Sequence, residues 1–89
     1  METEAAILAL AALAQCTRLD VYRLLVRHEP EGLPAGEVAR LLAVPQNTMS
    51  AHLGVLSRAG LVTARRTGRS IVYRADLARF QAVMSFLLT

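Results

Sequence analysis

The sequence has no lysine, no tryptophan, a single cysteine, three prolines and only four Phe or Tyr in its 89 residues. Each scarcity excludes something. One cysteine cannot make an intrachain disulfide, so a disulfide-stapled secreted scaffold is excluded. The longest stretch free of both charged residues and histidine, Ala5 to Thr17, is shorter than the roughly 18 to 20 residues that span a bilayer, so no membrane span is expected. The length accommodates one domain, residues 1–89. With 54% apolar residues and few aromatics, that domain is ordered around Leu, Ala and Val. The apolar run to Ala14, followed by Gln15 and Cys16, has the outline of a secretion signal or lipoprotein site. However, Glu2 and Glu4 stand where a signal carries basic residues, and Gln15 is too large to precede a lipidated cysteine. A cytoplasmic protein is expected.

What is present is a directional charge. The net +3 comes from ten arginines, but residues 1–45 hold four Arg against six acids, whereas residues 46–89 hold six Arg against one. Five of those six (Arg58, Arg65, Arg66, Arg69 and Arg74) fall within seventeen residues. Such a segment is either a solvated face or a surface that meets a polyanion.

Periodicity divides the chain into short elements. Residues 4–14 form a helix with an apolar stripe at Ile7, Leu8, Leu10 and Ala11, and Ala fills the rest. Thr17 can cap a second helix reaching about His28, with Leu19, Tyr22, Leu25 and Val26 as its buried side. Glu29-Pro30-Glu31-Gly32 breaks the chain. A third helix runs from about Pro34 to Ala43 with apolar Val38, Leu41 and Leu42. After a short connection a fourth, about Gln46 to Ala59, places Met49, Leu53 and Leu56 on one side and stops at Gly60. Two helices so closely joined are the helix-turn-helix signature. Leu61 to Arg66 and Ser70 to Ala75 alternate as strands of a hairpin turning at Thr67-Gly68-Arg69, with Ile71 and Tyr73 facing the core. Asp76 caps a last helix striped by Leu77, Phe80, Val83, Met84 and Leu87. The predicted fold is mainly α with a small β-hairpin, in the order α-α-α-α-β-β-α. That is a winged helix-turn-helix.

The exposed side of the fourth helix carries Asn47, Ser50, Ala51, Gly54 and Arg58, with Gln46 at its edge. A helix in the major groove needs such a slim polar face, and Gln or Asn can pair with adenine. The competing reading is that Gln-Asn-Thr caps the helix and the small residues are merely exposed. Thr48, off that face, suits capping or a phosphate contact, and His52 suits the boundary, bonding locally or to a phosphate. Arg66 and Arg69, close to the hairpin turn, are favoured for phosphates or the minor groove, with Arg65 left as a solvated charge. His28 fits a helix C-terminus. Cys16 is expected as a small buried hydrophobe, with a thiol sensor role as the alternative. No catalytic constellation, phosphate cradle or metal-ligand spacing is present, so no enzyme, metal or cofactor is expected.

These residues also carry a family resemblance. Ala12-Leu13-Ala14-Gln15-Cys16-Thr17-Arg18-Leu19, Glu37-Val38-Ala39, the run Gln46 to Leu53, then Leu56, Ala59-Gly60-Leu61-Val62, Gly68-Arg69 and Tyr73 resemble the ArsR/SmtB-type repressors over nearly the whole chain. The resemblance implies a homodimer held by its first and last helices, bound to an inverted-repeat DNA operator and released by an inducer. Apolar surface beyond what one small core needs supports the same interface, at Ile7, Leu8, Leu10, Ala11, Phe80, Val83, Met84 and Leu87. Departures concern the sensor. The third helix lacks the Cys-x-Cys motif of metal-sensing members, and no His follows Asp76. Arsenite-responsive members with a cysteine pair beyond the last helix are the most similar. They imply a metalloid-resistance repressor whose sensor is missing here, in a trimmed chain or a natural variant. As(III) would then be the inducer only if a cysteine pair follows Thr89. The alternatives are a winged-helix protein-interaction module that does not bind DNA and a redox-responsive repressor acting through Cys16.

Overall fold

In the computed structural model, which describes residues 1–89, local sequence dictates most of the element order: α1 (Thr3–Leu13), α2 (Cys16–Arg27), β1 (Leu33–Pro34), α3 (Ala35–Leu42), α4 (Gln46–Arg58), β2 (Val62–Thr67), β3 (Ser70–Ala75) and α5 (Leu77–Leu88). The sheet is antiparallel in the order β1-β3-β2. The predicted hairpin is present, with Thr67 opposite Ser70 across a two-residue Gly68-Arg69 turn. The strand β1 was not predicted. It is two residues long and is held by pairing Leu33 with Tyr73 and Pro34 with Val72, some forty positions away.

The core draws on every helix. Val21, Leu25, Val38, Met49, Leu53, Leu56, Leu61 and Val83 are its largest sealed side chains, and no buried residue is polar or charged. Met49, Leu53 and Leu56 therefore anchor α4 as the i, i+4, i+7 pattern predicts. Tyr22 stacks at a tilt on Phe80, centroids 5.9 Å apart, while its hydroxyl is sealed from solvent without a hydrogen-bond partner. Burial first, then the nearby Asp76 and Glu29 carboxylates, push that phenol above its ordinary pKa.

Helix ends show the chemistry that fixes them. Asp76 caps α5 as predicted, its carboxylate accepting from Arg79 N–H at 3.0 Å. Gly60, at φ +77°, follows α4 in the left-handed conformation; its N–H donates to Ser57 O and that of Leu61 to Leu56 O, both at 3.0 Å. Leu61 then accepts from Asp76 N–H at 2.8 Å, which ties the end of α4 to the start of α5. At the turn between α3 and α4, Ala43 takes φ +54° and the Val44 N–H donates to Ala39 O at 3.0 Å.

Several expectations need correction. Gln15, not Thr17, caps α2, its amide oxygen accepting from Arg18 N–H at 2.8 Å. Arg18 then reaches back and donates from Nε to Ala12 O at 2.6 Å, satisfying a carbonyl at the end of α1. This cap places Cys16 at the first turn of α2 with its side chain exposed, not buried. Pro34 lies before α3 rather than inside it, because it pairs in β1. On α2, Val21 and Leu24 turn inward while the predicted Leu19 and Val26 are exposed. On α3, Ala39 is buried and Leu41 is exposed. Ile71 shares the core-facing side of the sheet with Tyr73 and Ala75 but is exposed, since the hairpin runs past the end of the core. Val83 is sealed inside its own protomer at 1% exposure, so it packs the core and is removed from the interface set.

The α1 helix buries only its small residues, Ala6, Ala9 and Ala12. Ile7, Leu8, Leu10 and Ala11 remain outside, as do Met84 and Leu87 on α5, with Phe80 half-buried. No single helix is long and apolar enough to cross a membrane; α1 and α2 would pass only as a pair, and they are bent by 97°.

Candidate nucleic-acid interface

The α4 helix exposes Gln46, Asn47, Thr48, Ser50, Ala51 and Arg58, with His52 half-buried at the margin and Gly54 half-covered in the middle of the same face. Burying Met49, Leu53 and Leu56 leaves the opposite face free of large apolar side chains. Its middle, Ser50, Ala51 and Gly54, is slim enough for close approach to base edges.

The ends of α4 are more specific. Gln46 folds against α3, its amide nitrogen 3.3 Å from the point a Cβ on Gly36 would occupy. Asn47 accepts from Thr48 N–H through Oδ1 at 2.9 Å, so in the free protein it occupies an unsatisfied donor of the helix start. Arg58 lies back along the helix, its Nη1 3.3 Å from where a Gly54 Cβ would stand. Gly54 thus makes room for a guanidinium on the slim face.

The hairpin register sorts the basic residues. Arg66 pairs with Ile71 and shares its face with Tyr73 and Ala75, whereas Arg65 pairs with Val72 and shares the outer face with Arg74. Arg69 sits in the turn itself. Arg74, which the sequence counts with the basic segment, is paired with Glu29 at 2.8 Å and staples β3 to the end of α2. That pairing raises the Arg74 pKa. On α3, Arg40 is likewise paired with Glu37, and the hydrogen bond from Arg40 holds the Glu37 carboxyl below the usual range. Arg58, Arg65, Arg66 and Arg69 remain exposed and unpaired, which places four free guanidinium groups on α4 and the hairpin.

No three His, Cys, Asp or Glu side chains converge as a metal site. The sequence reading missed a groove of about 460 Å³ whose apolar walls are Leu13, Leu19, Val26 and Phe80 and whose edge carries Arg23 and Arg27. Its signal was available. The apolar residues of α2 are too many for one stripe, since Leu19 and Val26 at i, i+7 define a second face beside Val21 and Leu25.

Comparison with known proteins agrees with this geometry. A family model described as a helix-turn-helix domain matches residues 13–65. The chain is similar to the transcriptional activator HlyU of Vibrio cholerae, with 30% identity over 82 residues, 92% of this chain and 73% of that one. Among solved structures, an ArsR-like transcriptional regulator from Rhodococcus sp. RHA1 superposes with a TM-score of 0.84 at 28% identity, covering 94% of this chain and 76% of the other. A homodimeric winged helix-turn-helix DNA-binding domain from Mycobacterium bovis, described as a possible ArsR-family regulator, gives 0.77 at 31% identity, covering 96% and 79%.

Proposed function

Because the chain belongs to the ArsR/SmtB-type winged helix-turn-helix transcriptional regulators, we propose that it acts as a homodimer on an inverted-repeat operator in double-stranded DNA. The observation that carries this reading is the slim exposed face of α4, at Ser50, Ala51 and Gly54, together with the unpaired Arg58 on the same helix and Arg66 and Arg69 on the hairpin. Two such helices related by a two-fold axis meet successive major grooves about 34 to 36 Å apart. Gln46, Asn47, Thr48 and His52 contact bases or phosphates at the ends and margin of the same face. Asn47 Nδ2 has no partner in the free protein and is available to donate to DNA, and releasing Thr48 N–H frees Oδ1 as well, a rearrangement of one side chain.

The test is a salt titration of binding to short duplexes. Affinity falls steeply with ionic strength, and Arg69→Ala reduces the slope of log K against log salt by about 0.9. Absence of salt-dependent binding to any duplex refutes the reading in favour of a protein-interaction module.

In finer detail, we read the regulation as repression in the cytoplasm, relieved by an inducer, on the strength of the family likeness. A metalloid-resistance operon is the target in the arsenite-responsive members. Trivalent arsenic takes three thiolates there, and these residues supply only Cys16. Arsenite therefore leaves the complex of residues 1–89 with operator intact. Its release by arsenite would overturn the reading that residues 1–89 lack the sensor.

A further inference from the structure

The α2–α5 groove and the outer face of α1 are complementary in apolar character and in charge. Packing only alanines inward leaves α1 with Ile7 60% and Leu8 49% exposed, so these side chains cannot fill a groove of their own protomer. Glu4 stands one turn ahead of them, and Glu4, Ile7, Leu8 and Ala11 share one face at i, i+3, i+4, i+7 spacing. The groove presents the counterpart: apolar Leu19, Val26 and Phe80, edged by Arg23 and Arg27 one helical turn apart. The two ion pairs of the protein, Arg40–Glu37 and Arg74–Glu29, leave Glu2, Glu4, Arg23 and Arg27 without ionic partners.

We propose that this groove receives helix α1 of a second copy of the chain, with Ile7 and Leu8 against Leu19, Val26 and Phe80, and Glu4, aided by Glu2, facing Arg23 and Arg27. A two-fold interface requires each protomer to supply both halves of every contact, and this protomer does. The inference rests on the homodimer reading and assigns to α2 an interface role beyond that of the first and last helices. The acidic first half of the chain thereby acquires a partner in the same half of its neighbour.

The experiment is a charge swap read by sedimentation at low salt. The Arg23→Glu/Arg27→Glu and Glu2→Arg/Glu4→Arg proteins, all changed at exposed positions, each dimerise at least about tenfold more weakly than wild type, because every groove then faces a like charge. Mixed in equal amounts they form a heterodimer in which both grooves are again complementary, and the affinity recovers. Monomeric wild-type protein would refute the homodimer reading itself. A wild-type dimer with variants that dimerise unchanged, or weakened variants that do not rescue each other on mixing, would overturn the groove assignment and leave the dimer standing.

Discussion

Gly32 and Gly60 offer a matched test of what sets the stability of this small domain. Their φ angles are +76° and +77°, so an alanine at either position meets the same left-handed backbone penalty. That penalty is about 1 to 2 kcal/mol, reduced by about 0.4 to 1 kcal/mol because alanine also restricts the unfolded chain. The surroundings differ. At Gly60 the new Cβ meets only the tip of Arg79, Nε at 2.7 Å, which can swing away. At Gly32 it would stand 2.4 Å from the backbone carbonyl oxygen of Tyr73 and 2.6 Å from Arg74 Cγ, so β1 must separate from β3. Overpacking of this kind costs a further 1 to 3 kcal/mol, roughly. Gly60→Ala is therefore expected to lose about 1 kcal/mol and Gly32→Ala about 2 to 4 kcal/mol. In a domain of this size each kcal/mol lowers the melting temperature by about 4 to 8 °C. Urea denaturation followed by circular dichroism, at one fixed protomer concentration, measures both. Equal losses for the two variants would refute the argument that the β3 backbone, and not φ alone, requires glycine at position 32.

Other expectations follow from single contacts. Ala43 holds φ +54° at the turn between α3 and α4, so Ala43→Gly should raise the unfolding free energy by up to about 1 kcal/mol and with it the urea midpoint, and an unchanged or lower midpoint would contradict strain there. The Glu37 carboxyl is held low by Arg40, so the pair contributes above the unfolded carboxylate pKa of about 4.3 and its contribution fades as pH falls through the lower folded value. Glu37→Gln should accordingly flatten the acid limb of the stability profile and leave its alkaline limb unchanged. Cys16 is exposed, so Ellman's reagent should titrate one thiol per protomer in the native protein, and protection until unfolding would place that thiol inside an interface.

The legible parts of this fold are those whose cause is local. Met49, Leu53 and Leu56 announce the inner face of α4 by spacing alone, and Asp76 announces its helix by capping chemistry. The two-residue β1 is invisible because nothing in Leu33-Pro34 specifies a partner at Val72 and Tyr73. In α1 nearly every residue is apolar, so the pattern cannot say which side turns inward; the small alanines do, since they let the helix approach its neighbours closely. Val83 was misplaced for a related reason. The stripe of α5 serves both the protomer core and the outer surface, and residue type does not divide them. At the candidate site, helical spacing placed Ser50, Ala51 and Gly54 outward, but the local bonds of Asn47 and the pairing of Arg74 with Glu29 depend on three-dimensional proximity.

The bond from Asp76 N–H to Leu61 O makes the end of one helix the hinge pin of another. Beyond that pin α4 extends 13 residues, about 20 Å. A tilt of roughly 5° at the pin moves its far end by about 2 Å, more than half the step between adjacent base pairs. In the proposed operator complex, the placement of Gln46 and Asn47 against the bases therefore depends on how α5 is seated at the other end of α4.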